Sequence, residues 1–228
     1  SLGLFSTTLY SYAGVSNVFF CVVFMILWTI RHTKPLNINH VCYGRTDFDV
    51  SPSFEEEYPP ALEALNSAKI NKLYSSPLLR CRRLAEKVSN HLNIPFEIDE
   101  SIIEVFFGDW ENRRLIDLPR EEMNAWKANL RGYQFPGNGE SFYDVDKRVS
   151  KAIVNSMDMG EIAWVTHAGV IASLQHTFCG VPDHEFVEGI FGYAMVTRFE
   201  FNADENGRIQ GRFETLHEGM PQPPLAMD

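Results

Sequence analysis

The sequence predicts an α/β protein: a three-layer α/β/α arrangement on a mostly parallel central sheet, with a small, largely helical lid insertion. Three observations predict it. Short apolar runs of strand length alternate with segments of helical periodicity. Two of those runs close on the same pattern, a hydrophobic stretch ending in histidine, at His32 and at His167. The alternation breaks only between residues 100 and 140, where aromatic residues are mixed irregularly with charges and chain breakers.

The first strand lies in the apolar run 18–30, which follows a small and polar segment, 6–17. A secretory leader carries basic residues ahead of its apolar run, whereas the first basic residue here, Arg31, comes after it. A membrane span needs roughly twenty apolar residues, and this run is shorter. A buried central strand of a parallel sheet, apolar on both faces and rich in Val, Ile and Phe, fits both length and composition. Only the end of the run is needed for that strand, so Met25 makes a natural start and residues 1–24 read as an N-terminal extension. A chain beginning at Met25 is expected to fold and stay active. Residues 25–219 then form one domain with its lid at about 100–140, and residues 220–228 a loose tail.

The loop 34–53 is rich in Asn, Asp, Gly and Pro, as expected of a functional connection at a strand end. Residues 53–68 read as helical in their second part, with Pro59 and Pro60 at or before the first turn. A short strand at 71–74 leads to Ser76-Pro77, which reads as the N-cap and first turn of the next helix. Residues 94–98 are a further strand. After the lid, 141–157 is helical, 162–166 is an apolar strand, and 168–178 is a helix ending before Gly180-Val181-Pro182. Alternating runs at 194–201 and 208–216 flank Asp204-Glu205-Asn206-Gly207 and read as a hairpin.

The chain of 228 residues carries a formal net charge of -10, which argues against a protein that holds nucleic acid by general attraction. Basic residues cluster locally instead, at Arg31, at Arg80, Arg82 and Arg83, and at Arg113-Arg114, so an anionic ligand is expected to be small and held in a pocket. Cys21, Cys42, Cys81 and Cys179 show no pairing pattern and read as free thiols of a reducing, cytoplasmic compartment. His40, His91, His176, His184 and His217 lack the spacing of a metal site.

Ligands of open α/β sheets bind at the carboxyl ends of the strands, so His32 and His167 are expected at one rim. The segment from Tyr74 to Arg80 brings a third strand end there, with Arg80 about one helical turn further on. Two arginines and two histidines around one anion suit phosphoryl transfer. Guanidinium forks bind the equatorial oxygens, and a neutral imidazole attacks phosphorus if one nitrogen is free and the other keeps its proton on a carbonyl. The leaving alcohol needs a proton from a carboxyl group kept protonated by apolar surroundings. Glu104, beside Val105-Phe106-Phe107, fits that description, with Glu111 as the alternative.

Four segments, in order, carry a resemblance: Ile30-Arg31-His32, the run from Ser75 to Arg80, the run from Glu104 to Glu111, and Val165-Thr166-His167-Ala168-Gly169. Together they resemble the histidine phosphatase superfamily, in its phosphoglycerate mutase-like branch, from about Ile26 to the final strands. The resemblance implies that His32 carries the phosphoryl group, that Arg31, Arg80 and His167 form the phosphate pocket, and that Glu104 donates the proton. It implies no metal and no cofactor. Thr33 stands where the family usually has Gly, and Ile38 occupies the register of a family Asn, flanked by Asn37 and Asn39. The segments from Arg31 to Pro35 and from Cys42 to Asp47 are similar to a subgroup of α-ribazole phosphatases, which act in cobalamin nucleotide-loop assembly.

Asn37, Tyr43 and Ser141 are added as candidates for substrate contact, although Ser141 is also the simplest N-cap for the helix after it. Several functions stay open: a phosphomonoesterase, a mutase-like phosphotransferase, a broad-specificity or phosphoprotein phosphatase, and, outside the enzymes, a phospho-ligand binding module. The expected partner is a small phosphorylated substrate, with neither nucleic acid nor membrane. Monomer and homodimer both stay open.

Overall fold

The computed structural model describes residues 23–183 and 191–221. Strand β1 (Val23–Arg31) is flanked by β4 (Glu161–Thr166) in parallel and by β5 (Val196–Ala203) in antiparallel pairing. Beyond β4 lie β2 (Lys72–Ser75) and β3 (Phe96–Ile98), both parallel, and beyond β5 lies β6 (Ile209–His217), antiparallel. The six-stranded sheet has the order β3-β2-β4-β1-β5-β6. It is mostly parallel, and the hairpin of β5 and β6 closes one edge.

The period of two along the central strands explains the layers. Met25 and Leu27 of β1, with Ile162 and Trp164 of β4, face helices α4 (Phe142–Ser156) and α5 (Ala168–Cys179). Trp28 and Ile30, with Ala163 and Val165, face α1 (Phe54–Ala64) and α2 (Leu79–Leu92). Both faces are covered, which is why these strands are apolar throughout. β1 starts two residues ahead of Met25: Val23 and Phe24 pair with Ala203 and Asn202 of β5. Residues 1–22 of the expected extension lie outside the described residues, as do residues 222–228 of the expected tail.

The lid segment contains three short 3-10 turns, at Glu100–Ile102, Gly108–Trp110 and Leu115–Asp117, and helix α3 (Arg120–Ala128). Its aromatic residues are not a separate flap. Trp110 meets Trp126 and Phe135 edge-on, and all three join the core that includes Phe142, Val145 and Trp164. The insertion is therefore fixed on the α4 side of the sheet.

Two expectations need correction. Helix α1 starts at Phe54, so Pro59 and Pro60 lie inside it. Phe54 and Ala61 of this helix are buried in the core on the α1 and α2 side, and such burial opposes the cost of the two missing backbone donors. Ser76 does not cap α2, whose N-cap is Leu78, because its hydroxyl is bonded to His167. Met220 exchanges two 2.8 Å backbone hydrogen bonds with Tyr193.

Ser141 is the N-cap of α4 in a reciprocal capping box: its hydroxyl accepts from the Asp144 N–H, and the Asp144 carboxylate accepts from the Ser141 N–H. Ser141→Ala is expected to lower stability by about 0.5–2 kcal/mol and to leave KM unchanged. Urea unfolding beside steady-state kinetics checks both.

Candidate active site

The parallel register of β1 and β4 sets Arg31 against Thr166, so the residues that follow, His32 and His167, emerge side by side. Their ring centroids are 5.1 Å apart, at an interplanar angle of 60°. The third strand end, β2, brings Ser75 and Ser76 to the same rim, and Arg80, the second residue of α2, reaches back to it. Arg31, His32, Arg80 and His167 are all buried there. The arrangement expected from two strands ending in histidine is thus present.

A buried guanidinium needs acceptors, and the acceptors here are mostly carbonyls. Arg80 Nη2 donates to the Gly44 carbonyl at 2.7 Å, and Nη1 to that of Thr46 at 3.0 Å. Its Nε, also buried, has no hydrogen-bond partner among the described residues. Arg31 donates to the Phe191 carbonyl and lies over the Tyr193 ring, 4.5 Å from the centroid. The carbonyls of Gly44 and Thr46 hold the Arg80 guanidinium without neutralising it, so its charge is available to an anion.

The hydrogen bonds fix both imidazole tautomers. The Thr33 carbonyl can only accept, so His32 Nδ1, 2.7 Å away, carries the proton and Nε2 keeps its lone pair. Arg80 Nη2 can only donate, so His167 Nδ1 at 3.4 Å accepts, and Nε2–H donates to Ser76 Oγ at 2.7 Å. Burial and the positive charge of Arg80 and Arg31 hold His32 well below the ordinary imidazole range. Burial, Arg80 and the neighbouring His32 do the same to His167. Both rings are neutral at neutral pH.

The two acidic candidates separate clearly. Glu104 is 8% exposed, and burial raises its pKa despite two backbone hydrogen bonds and both arginines, which pull the other way. One carboxyl oxygen accepts from Val105 N–H at 2.9 Å and the other from Gly169 N–H at 3.3 Å, which sets the acid beside His167. Glu111 is spent on the backbone, accepting from the N–H groups of Arg45, Thr46 and Phe107. The backbone N–H donors at the starts of α2 and α5 are likewise taken by acids of the chain. Leu79 N–H donates to Asp47, and Gly169 N–H to Glu104.

Of the candidates for substrate contact, Tyr43 lies in this cluster, with the Arg80 guanidinium 5.2 Å from its ring centroid and its hydroxyl 3.5 Å from that of Tyr193. Asn37 and Ser141 are not brought there. The Asn37 amide is bonded at both ends to Val41, and Ser141 serves its cap. Arg113 and Arg114 stay exposed on the lid, tied to Asp117. Tyr193 escaped the sequence reading. It precedes β5, whose antiparallel pairing starts opposite the end of β1 at Ile30↔Val196, so residues just before β5 enter the same rim.

Among the described residues, no group of three or more His, Cys, Asp or Glu side chains could hold a metal ion. No helix of the described residues is long and apolar enough to cross a membrane. Buried arginines and neutral histidines gathered at one rim of a mostly parallel sheet make a site suited to a small anion such as a phosphoryl group. The pattern of the histidine phosphatase superfamily (branch 1) matches residues 27–212, so the chain belongs to that superfamily and is a phosphatase-type enzyme.

The adenosylcobalamin/alpha-ribazole phosphatase of Escherichia coli K12 is 29% identical over 164 residues, covering 69% of this chain and 81% of the relative. Among solved structures, the alpha-ribazole phosphatase from Shigella flexneri matches with a TM-score of 0.69 at 22% identity, covering 87% of this chain and 100% of that one. A mycobacterial glucosyl-3-phosphoglycerate phosphatase matches with a TM-score of 0.65 at 22% identity, covering 84% and 98%. The two structural likenesses bear on the fold.

Gly169 leaves no room for a side chain, since an added Cβ would stand 2.3 Å from Glu104 Oε1. The clash falls on the end of a movable side chain, so Gly169→Ala is expected to displace the acid at small cost in stability. Activity should fall about tenfold or more, while the melting temperature shifts little; kinetics and calorimetry on the same preparation check the pair.

Proposed function

We propose that the chain hydrolyses phosphomonoesters through a phosphohistidine at His32. One observation carries the reading: the Nδ1 proton of His32 is held by the Thr33 carbonyl, which leaves the Nε2 lone pair in a site shared with Arg31, Arg80 and His167. Nε2 attacks phosphorus in line as the bond to the ester oxygen breaks. Arg31 and Arg80 take the charge on the equatorial oxygens, and His167 walls the pocket and orients Arg80. Glu104 gives its proton to the departing alkoxide. Water then attacks the phosphohistidine and loses a proton to the Glu104 carboxylate, and the P–N bond breaks to release phosphate and neutral His32. In this reading the arginines supply the positive charge, and no metal is needed.

We further propose α-ribazole 5′-phosphate as the substrate, in cobalamin nucleotide-loop assembly. The support is the relative's name at 29% identity, together with the similarity of the segments from Arg31 to Pro35 and from Cys42 to Asp47. A cytoplasmic setting agrees with Cys42, Cys81 and Cys179, all free thiols. A panel of phosphomonoesters tests the substrate; high turnover of another class with none of α-ribazole 5′-phosphate would remove that assignment alone.

Labelled substrate is expected to leave acid-labile phosphate on the protein, and His32→Ala should abolish both label and turnover; turnover that survives the substitution overturns the covalent route. The pKa directions fix a pH profile. Activity needs neutral His32 and protonated Glu104, so kcat/KM rises as pH climbs through the depressed His32 value and falls as it climbs through the raised Glu104 value. Glu104→Gln should remove the alkaline limb and lower kcat by about 10²–10⁴.

A further inference from the structure

The Glu111 carboxylate is engaged by four donors. Oε1 accepts from the N–H groups of Arg45 at 2.8 Å and Phe107 at 3.3 Å. Oε2 accepts from the N–H of Thr46 at 2.6 Å and from its hydroxyl at 2.5 Å. Three of these donors belong to one short strap, Gly44-Arg45-Thr46. The strap's carbonyls at Gly44 and Thr46 are the two that receive the Arg80 guanidinium. It has little freedom on its other side: a Cβ added at Gly44 would stand 1.9 Å from the Val105 carbonyl oxygen.

We propose that Glu111 is a positioning residue for phosphate binding: by fixing the Arg45 and Thr46 amides it sets the two carbonyls that orient Arg80, leaving Arg80 Nε to meet the phosphoryl group. The inference rests on the reading that Arg80 binds phosphate. It also gives Glu111 work other than proton donation. A carboxylate suits the task because it only accepts, with two oxygens to share among four donors. A glutamine there turns an NH2 group against N–H donors and leaves part of the strap unheld.

The test uses inorganic phosphate as a competitive inhibitor of the full-length protein, comparing wild type, Glu111→Gln, Thr46→Val and Glu104→Gln. In Glu111→Gln the phosphate inhibition constant should rise about tenfold, KM should rise more than kcat falls, and the alkaline limb of the pH profile should persist. Thr46→Val removes one of the four bonds and should shift phosphate affinity less, in the same direction. Glu104→Gln should instead lose the alkaline limb. Phosphate affinity in folded Glu111→Gln within about twofold of wild type, or loss of its alkaline limb, overturns the proposal.

If Glu111→Gln does not fold, Thr46→Val decides, and unchanged phosphate affinity in it counts as refutation. Phosphate inhibition requires no covalent step. A wild type that formed no phosphohistidine would therefore defeat the catalytic route while leaving this comparison readable.

Discussion

Two guanidinium groups buried beside two imidazoles impose the constraint from which the site's other features follow. Water does not solvate these cations, so the chain supplies acceptors: the carbonyls of Gly44, Thr46 and Phe191, and the faces of Tyr43 and Tyr193. The carbonyls hold Arg80 without discharging it. Burial, with the positive charge of Arg80 and Arg31, keeps His32 and His167 neutral. The same charge that would attract a phosphate adds to burial in keeping the proposed nucleophile, His32, unprotonated.

The sheet order explains how residues far apart in sequence meet. β2, β4 and β1 run parallel as neighbours, so Ser76, His167 and His32 leave the same edge. β5 runs the opposite way, and its start, preceded by Tyr193, returns to that edge beside β1. The lid adds Glu104 and Glu111 from a segment locked to the core by Trp110, Trp126 and Phe135. Position in the lid gives the two acids different surroundings. Glu104 is buried against Gly169 at the start of α5, whereas Glu111 is surrounded by backbone amides.

Much of this was legible in the sequence. Apolar runs ending in His32 and His167 carried the sheet, the rim and the pairing of the histidines, because strand direction alone fixes where those side chains emerge. Arg80 was legible from its distance to the β2 end. Other features required three-dimensional knowledge. Ser76 looked like a helix cap because Ser before Pro usually is one; its hydroxyl was claimed by His167, a partner 91 positions away. Asn37 was read from the register of a family amide, yet its side chain closes its own loop on Val41. Tyr193 and the carbonyls of residues 44 and 46 were invisible for a simpler reason. The first depends on an antiparallel strand in a mostly parallel sheet, and the others act through main-chain atoms that every residue type carries.

The account turns on the protonation of a single ring. Nitrogen-15 NMR of the His32 imidazole at neutral pH reads it directly: the account predicts a neutral ring with its proton on Nδ1 and a bare Nε2. An imidazolium, or a neutral ring protonated on Nε2, would contradict it.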